Sequence, residues 1–487
     1  MAGGNWSPND MPVLPGLYMN FVAAAGNAIE PGARGIVVAP VKAHWGPVGE
    51  FVEVSDEAAI KELYSEDETG GATAFTTLYL TLLGGPRTLL AYRIASDAAS
   101  PATASISNTN TTPEAALRLT AKYPGDRGNG FNVTITDSLA VPGTKELKLY
   151  EGTKLLRTIS IGTGDVEAAG QAINDDEGNK WIVASKLADG VLADVSGLAL
   201  SGGDSGISGI SNADYVAALA AFEGQEFHVL TLDGVTDAAL QSSVVAWTKR
   251  VRSEGKGIIV ILGGSATDDK AADAVSKAVA RSAGFNYEGI VNVGSGATLA
   301  DKKYSSAQVA AWVAGLIAGQ SLSQSTTYAE SPFDDVTRRW TRSEQEQAIR
   351  GGVFLLIHDG RKVKALRGVN SLVTLQLGQN KSWKKIRAIR VMDAINSDLQ
   401  RTAEDVYIGK VNNTTEGRLA LIGACKEYLR TLAQSNVIEG VGYDVILDPT
   451  YYGSAPAITP ESDQVFLRWN ARITDVMEQI FGTFFVQ

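Results

Sequence analysis

The chain has 487 residues, 44% of them hydrophobic and 20% charged, with a formal net charge of −11. That length exceeds what one hydrophobic core can serve, so about three domains are expected. The balance excludes a disordered chain and argues against a polyanion-binding protein, and the single cysteine, Cys425, excludes an internal disulfide.

The start MAGGNWSPND lacks a basic region followed by an apolar run, so no secretion signal and a reducing cytosol are expected. Residues 1–24 read as an arm with three prolines in NWSPNDMPVLPG, ending in the short apolar strand LYMNFV. From Gly35 the pattern alternates: GIVVAP as a strand, a helix with Asp56 and Glu57 at its start, a helix near 72–83, then the strand TLLAYRIA. The small, polar SDAASPATASIS marks a linker. LRLTAKY, FNVTITDS and KELKLYEGTKLLRTISIG then alternate apolar and polar residues, which predicts a β-rich domain inserted over 98–203 and closed by SGGDSGISG. Strands FHVLTLD, GIIVILGG and GIVNVG follow, interleaved with helices, one carrying Leu240, Val244, Trp247 and Val251 on one face. Residues 25–97 and 204–350 therefore read as one doubly wound α/β domain. VAAWVAGLIAG at 309–319 is too short for a bilayer of about 30 Å and predicts a buried helix, with no membrane role.

Residues 351–487 read as an α+β domain. It opens with the hairpin VFLLIHDGRKVKALRG, where Asp359 and Gly360 suit a tight two-residue turn. Two helices follow, the first with Met392, Ile395, Leu399 and Val406 on its apolar face, the second with Leu419, Ile422, Leu429 and Leu432. Strands GYDVIL, VFLRWNARIT and TFFVQ come last. In the middle one, Leu467, Trp469, Ala471 and Ile473 should point one way and Arg468, Asn470 and Arg472 the other. The fold class is thus mixed α/β and multidomain.

Residues that carry chemistry are sparse. His44, His228 and His358 show no metal-ligand spacing and read as packed or surface residues. ILGGSATDDK and GSGAT lie where a phosphate loop would sit but lack the spacing of either phosphate motif, and Cys425 falls on the apolar side of its helix. With no paired acids, metal cluster or nucleophile beside a base, no enzyme, cofactor or metal is expected. Between Arg338 and Arg390 there are thirteen Lys or Arg against three Asp or Glu, a local charge of +10. That suggests either an oriented contact or a solvated face. Nucleic acid is disfavoured because aromatic stacking platforms are absent there.

A soluble chain finishing on Phe484, Phe485 and Val486 poses a question of partner, since such residues suit a pleated, half-buried setting. Strands at both ends, Leu17, Tyr18, Met19, Asn20, Phe21 and Val22 at one and Thr483, Phe484, Phe485 and Val486 at the other, would stitch a polymer together if exchanged between subunits.

The stretches LPGLYMNFVAAAGNAIEPGARGIVVAPVKAHWGP, AKYPGDRGNG, RWTRSEQEQAIRGGVFLLIHDGRKVKALRGVNSLVT and RVMDAINSDLQRTAEDVYIGKVNNTTEGRLALIGACKEYLRTL resemble, in this order, the tail sheath proteins of contractile bacteriophages, especially those of Gram-positive phages and phage-like particles. The resemblance covers nearly the whole chain and is weakest over 140–200. It implies a structural subunit, stacked in six-fold rings around an inner tube, whose exchanged terminal strands join a lattice in the C-terminal domain while inserted domains face outward. Hinges would lie near Ala23–Gly26 and before Gly482. The partners implied are further copies of the chain, the tube protein, and baseplate and tail terminator proteins. The place implied is a virion tail or phage-like particle, assembled in the host cytoplasm. Tube-facing candidates are Arg418, Lys426 and Arg430 on one helix strip, with Lys384 and Lys385 from the basic segment. Two other readings stand beside it: a Rossmann-type nucleotide-dependent enzyme, suggested by residues 225–320, and another self-assembling shell or surface-layer subunit.

Overall fold

The computed structural model describes residues 34–456 and 458–486, with Ile29, Gly32 and the backbone of Gly3, Gly4, Leu17 and Tyr18. The chain divides into two compact units. One is Ala33–Asp393 with Val476–Gln487, the other Met1–Gly32 with Ala394–Asp475.

In the larger unit a seven-stranded sheet runs in the order Val353–Phe354, Ile290–Val293, Ile259–Gly263, Val229–Thr231, Ile36–Val41, Thr88–Arg93 and Phe51–Glu53. Its pairings are parallel except for the edge strand Phe51–Glu53. Alternation along one strand feeds two cores. Val37, Ala39 and Val41 pack with Ile60, Leu78 and Trp312 on one face, while Val38 packs with Leu219, Phe222, Leu240, Val244 and Trp247 on the other. Helix starts follow capping chemistry: Asp56 accepts from Ala59 N at 2.8 Å, and Ser305 with Gln308 forms a capping box. Helix Ala74–Leu83 crosses Ser306–Gly319 so closely that a Cβ on Gly315 would lie 2.1 Å from Thr81 O. The doubly wound reading of this region holds.

The insertion packs two antiparallel sheets face to face. One is ordered Lys154–Ser160, Lys145–Glu151, Phe131–Asp137, Val195–Ala199, the other Ile182–Lys186, Ala115–Ala121, Thr103–Ser107. Phe131, Val133, Ile135, Leu117 and Leu119 fill the space between them, with Val166, Ala169 and Ile173 from the helix Val166–Asp175. The two small-residue linkers are not loose. Ser100 and Asp204 exchange backbone hydrogen bonds at 3.0 and 2.9 Å, and Thr103 and Ser201 do so at 2.8 and 3.0 Å.

Trp45, from the α/β sequence, is buried in the core of the insertion, edge-on to Tyr123 and Phe131 at 5.2 Å from each ring. Around it Arg93 donates to Gly46 O and Pro124 O, both at 2.7 Å, and to Ser205 O at 3.3 Å. Gly125 approaches so closely that a Cβ would lie 1.9 Å from His44 O.

Two local expectations change. The hairpin turn takes four residues rather than two, because Asp359 Oδ1 accepts from Arg361 N and Lys362 N at 3.0 and 3.1 Å, and only Gly360 has positive φ. Its strands are Leu356–His358 and Val363–Ala365, whereas Val353–Phe354 ends the large sheet. On the helix Ile386–Thr402 the fully buried line is Val391, Ala394 and Asp398, leaving Met392, Ile395 and Leu399 half-buried.

In the smaller unit the helix Thr415–Gln434 buries Ile422, Cys425, Tyr428, Leu429 and Leu432. Leu419, expected in that stripe, is 61% exposed, because the buried face begins one turn later. Strands Asp444–Leu447 and Leu467–Asn470 form a two-stranded antiparallel ribbon that buries Val445. Leu467, Trp469 and Ile473 are half-buried while Arg468, Asn470 and Arg472 are exposed, as expected; only Ala471 departs from the alternation and is exposed.

Candidate functional site

At the carboxyl ends of Ile36–Val41 and Val229–Thr231 the strand order reverses, which is where a doubly wound sheet seats a ligand. Here the position is filled by the chain itself. Asp233, its side chain fully buried, accepts from Thr73 Oγ1 at 2.6 Å and Tyr215 OH at 2.7 Å, with Lys42 Nζ at 3.6 Å. The strand-to-helix turn of ILGGSATDDK is likewise occupied from within: Asp269 accepts from Ser306 N at 2.6 Å and Ser306 Oγ at 2.7 Å. Burial pushes its carboxyl up to about 6.

His44 faces Ser205 Oγ at 2.8 Å and Asp126 Oδ2 at 3.1 Å through Nδ1, and Thr69 O at 3.0 Å through Nε2. Histidine, serine and aspartate meet, but Ser205 is 2% exposed and lies where the insertion rejoins the α/β sheet, so the trio works as packing. His228 Nδ1 accepts from Ile36 N at 3.4 Å, and His358 Nδ1 accepts from Gly360 N at 3.0 Å. Cys425 is buried, and burial pushes its thiol up to about 12, as expected of an inert core residue.

The basic run from Arg338 to Arg390 is largely consumed at home. Arg338 pairs with Glu344 at 2.6 Å, Arg339 with Asp335 at 3.0 Å and Lys364 with Asp359 at 2.8 Å, while Lys362 pairs with Glu330. Lys384 Nζ donates to Val373 O at 2.6 Å and Lys385 pairs with Glu478 at 3.1 Å. Arg390 donates to Gln320 O at 2.5 Å, and burial lowers its pKa to about 10. In the smaller unit Arg418 donates to Asn413 Oδ1 at 3.0 Å, Lys426 meets Asp444 at 2.7 Å and Arg430 meets Glu427 at 2.6 Å. Arg418, Lys426 and Arg430 share the helix Thr415–Gln434; Lys384 and Lys385 belong to the larger unit.

Of the terminal strands, Leu17 and Tyr18 pair in parallel with Gly3 and Gly4. Met19, Asn20, Phe21 and Val22, and the hinge at 23–26, lie outside the described residues. Thr483, Phe484, Phe485 and Val486 are not in a strand of this chain. Ile480, Phe481, Phe484, Phe485 and Val486 are 84–89% exposed, a run of large apolar side chains with no cover. The ribbon of Asp444–Leu447 and Leu467–Asn470 has, among the described residues, no third strand. Missing from the sequence reading were the Trp45 plug, the buried Arg93 and the carboxylate of Glu478. Only the isolated position of Trp45 in KAHWGP hinted at any of them.

Comparison with known proteins matches residues 97–205 to the phage tail sheath protein beta-sandwich domain, 208–371 to the phage tail sheath protein central domain and 378–487 to the phage tail sheath C-terminal domain. The phage-like element PBSX protein XkdK of Bacillus subtilis (strain 168) is 28% identical over 469 residues, 91% of this chain and 92% of that one. The crystal structure of the sheath tail protein from Desulfitobacterium hafniense is 26% identical with TM-score 0.71, covering 95% of this chain and 98% of that one. The anti-feeding prophage helical sheath in its contracted state, 12% identical with TM-score 0.56 over 98% of this chain and 100% of that one, shares the fold. With three sheath domains matched in order along one chain, the protein belongs to the phage tail sheath family and is a structural sheath subunit.

Proposed function

We propose that this subunit polymerises as stacked six-fold rings around an inner tube protein by exchanging its terminal arms with neighbouring copies, and that repacking of those copies shortens the sheath and drives the tube through a bacterial envelope. The observation that carries this reading is the exposed run Ile480, Phe481, Phe484, Phe485 and Val486, in a chain whose C-terminal ribbon has two strands among the described residues. Open strand edges are templates for a further strand. Burying each large side chain gains about 1.5–3 kcal/mol, against about 1–2 kcal/mol per residue for ordering the backbone. The arm therefore needs both its apolar contacts and the ladder hydrogen bonds of a neighbour's sheet to stay in place.

In this arrangement residues 1–24 are the N-terminal arm, the doubly wound sheet with its last strand Val353–Phe354 belongs to the body, 98–203 is an outward insertion, and the C-terminal residues form the lattice domain with its terminal strand. The strip of Arg418, Lys426 and Arg430 faces the tube, and ring ends meet baseplate and tail terminator proteins. The work is mechanical rather than catalytic: two packings of the same subunit differ in energy, and triggering releases the higher one. The subunit assembles in the host cytoplasm and serves in a virion tail or phage-like particle.

Deleting residues 482–487 tests the reading. The expected product keeps its circular dichroism and solubility but sediments without polymer, whereas the full chain is expected to give striated tubes in electron microscopy. Normal tubes from the truncated chain would refute arm exchange.

A further inference from the structure

Within the larger unit, one carboxylate seats the C-terminal segment among side chains from far earlier in the chain. From Met477 to Val486 every residue is exposed except Glu478. Its carboxylate, 9% exposed, accepts from Thr327 Oγ1 at 2.8 Å, Arg367 Nε at 3.0 Å, Arg367 Nη2 at 2.7 Å and Lys385 Nζ at 3.1 Å. These partners stand 151, 111 and 93 positions earlier in the chain, so the seat is tertiary. Burial alone would raise this carboxyl, but the donors outweigh it and hold it below the usual glutamate value. On either side Met477 is 90% and Ile480 85% exposed. A cavity of about 470 Å³, lined by Ile349, Leu366, Arg367 and Gln479, opens beside the seat. Apolar packing therefore does not fix this segment; a charge-assisted cluster does.

We infer that Glu478 is a positioning residue for assembly: seated on Arg367, Lys385 and Thr327, it roots the C-terminal arm, so that residues 479–487 turn about a fixed point when they engage a second copy of this chain. This rests on the arm-exchange reading and adds its pivot. An ion cluster suits the task, because its directional contacts hold the root through a change in subunit packing while the apolar residues beyond it stay available to a neighbour. The nine residues past the seat reach at most about 30 Å when extended at about 3.3 Å each, so the accepting strand of the neighbour must lie within that radius.

The test uses the full chain with Glu478→Gln, Arg367→Gln and the double substitution. Each is read by thermal melting, by hydrogen exchange of the peptide spanning 474–481, and by the critical concentration for polymer formation in sedimentation. The expected result is a melting temperature within a few degrees of the parent, exchange at 476–479 accelerated at least tenfold, a critical concentration raised at least tenfold, and a double variant no worse than either single one. Unchanged exchange in E478Q, or faster exchange with unchanged assembly, overturns the inference. Should E478Q fail to fold, R367Q carries the reading; if both fail, the seat is a folding element and the inference falls. The chain lacking 482–487 separates the two ideas. If it polymerises normally, arm exchange fails whatever the variants do; if it does not while E478Q assembles as the parent does, only the pivot fails.

Discussion

Replacing Trp45 by alanine should loosen a domain to which Trp45 does not belong in sequence. The indole is 2% exposed and packs edge-on against Tyr123 and Phe131 inside the insertion, with the Arg127 guanidinium 5.9 Å from its ring. Truncating a buried Trp costs about 3–5 kcal/mol, and edge-to-face aromatic pairs contribute about 0.5–1.5 kcal/mol of such a loss. The companion perturbation replaces residues 98–203 by a short Gly and Ser linker. The ends of that segment lie side by side, since Ser100 and Asp204 are hydrogen-bonded, so the chain can close. Excision nevertheless strips Trp45 of its partners and removes the Pro124 acceptor from the fully buried Arg93. An orphaned buried donor costs about 1–3 kcal/mol. The expected cycle is therefore asymmetric: W45A costs about 3–5 kcal/mol in the full chain by urea denaturation, and close to nothing, or a gain in solubility, in the excised chain. A cost below about 1 kcal/mol in the full chain would show that Trp45 does not join the two sequence regions into one core.

Two further outcomes are expected. Arg418→Glu, Lys426→Glu and Arg430→Glu together should leave melting little changed, because exposed ion pairs such as Lys426–Asp444 are worth about 0–1 kcal/mol each, yet abolish assembly on tubes while empty polymers form; normal assembly on tubes at low and high salt would remove this helix from the tube contact. Asp269, with its carboxyl raised to about 6, contributes stability below the ordinary aspartate range that is lost as pH rises through about 6, so the stability of the parent relative to Asp269→Asn should fall by about 3 kcal/mol between about pH 3 and pH 8, and a flat difference would mean that Asp269 ionises freely.

What the amino-acid pattern determined alone was local and periodic. The 3.6-residue recurrence of Leu240, Val244, Trp247 and Val251 placed a buried helix face, and all four are buried. The alternation of FNVTITDS placed a strand whose Phe131, Val133 and Ile135 face one core. Asp56 announced a helix start because a cap acts within three residues. The order of several such stretches also carried the family resemblance, although the catalogue of chemistry-bearing residues gave little. Tertiary structure alone decided what lies across long separations. Leu419 satisfies the helical stripe yet is exposed, because the neighbour that would cover a first turn is set by packing rather than periodicity. A small-residue linker became a paired ribbon only because residue 100 met residue 204. Trp45 entered the core of the insertion, 86 positions from Phe131 in the chain. Glu478, one carboxylate among many in the sequence, became the root of an arm because folding brought Thr327, Arg367 and Lys385 to it. Burial and charge pairing of this kind depend on distances through space, which spacing along a chain does not encode.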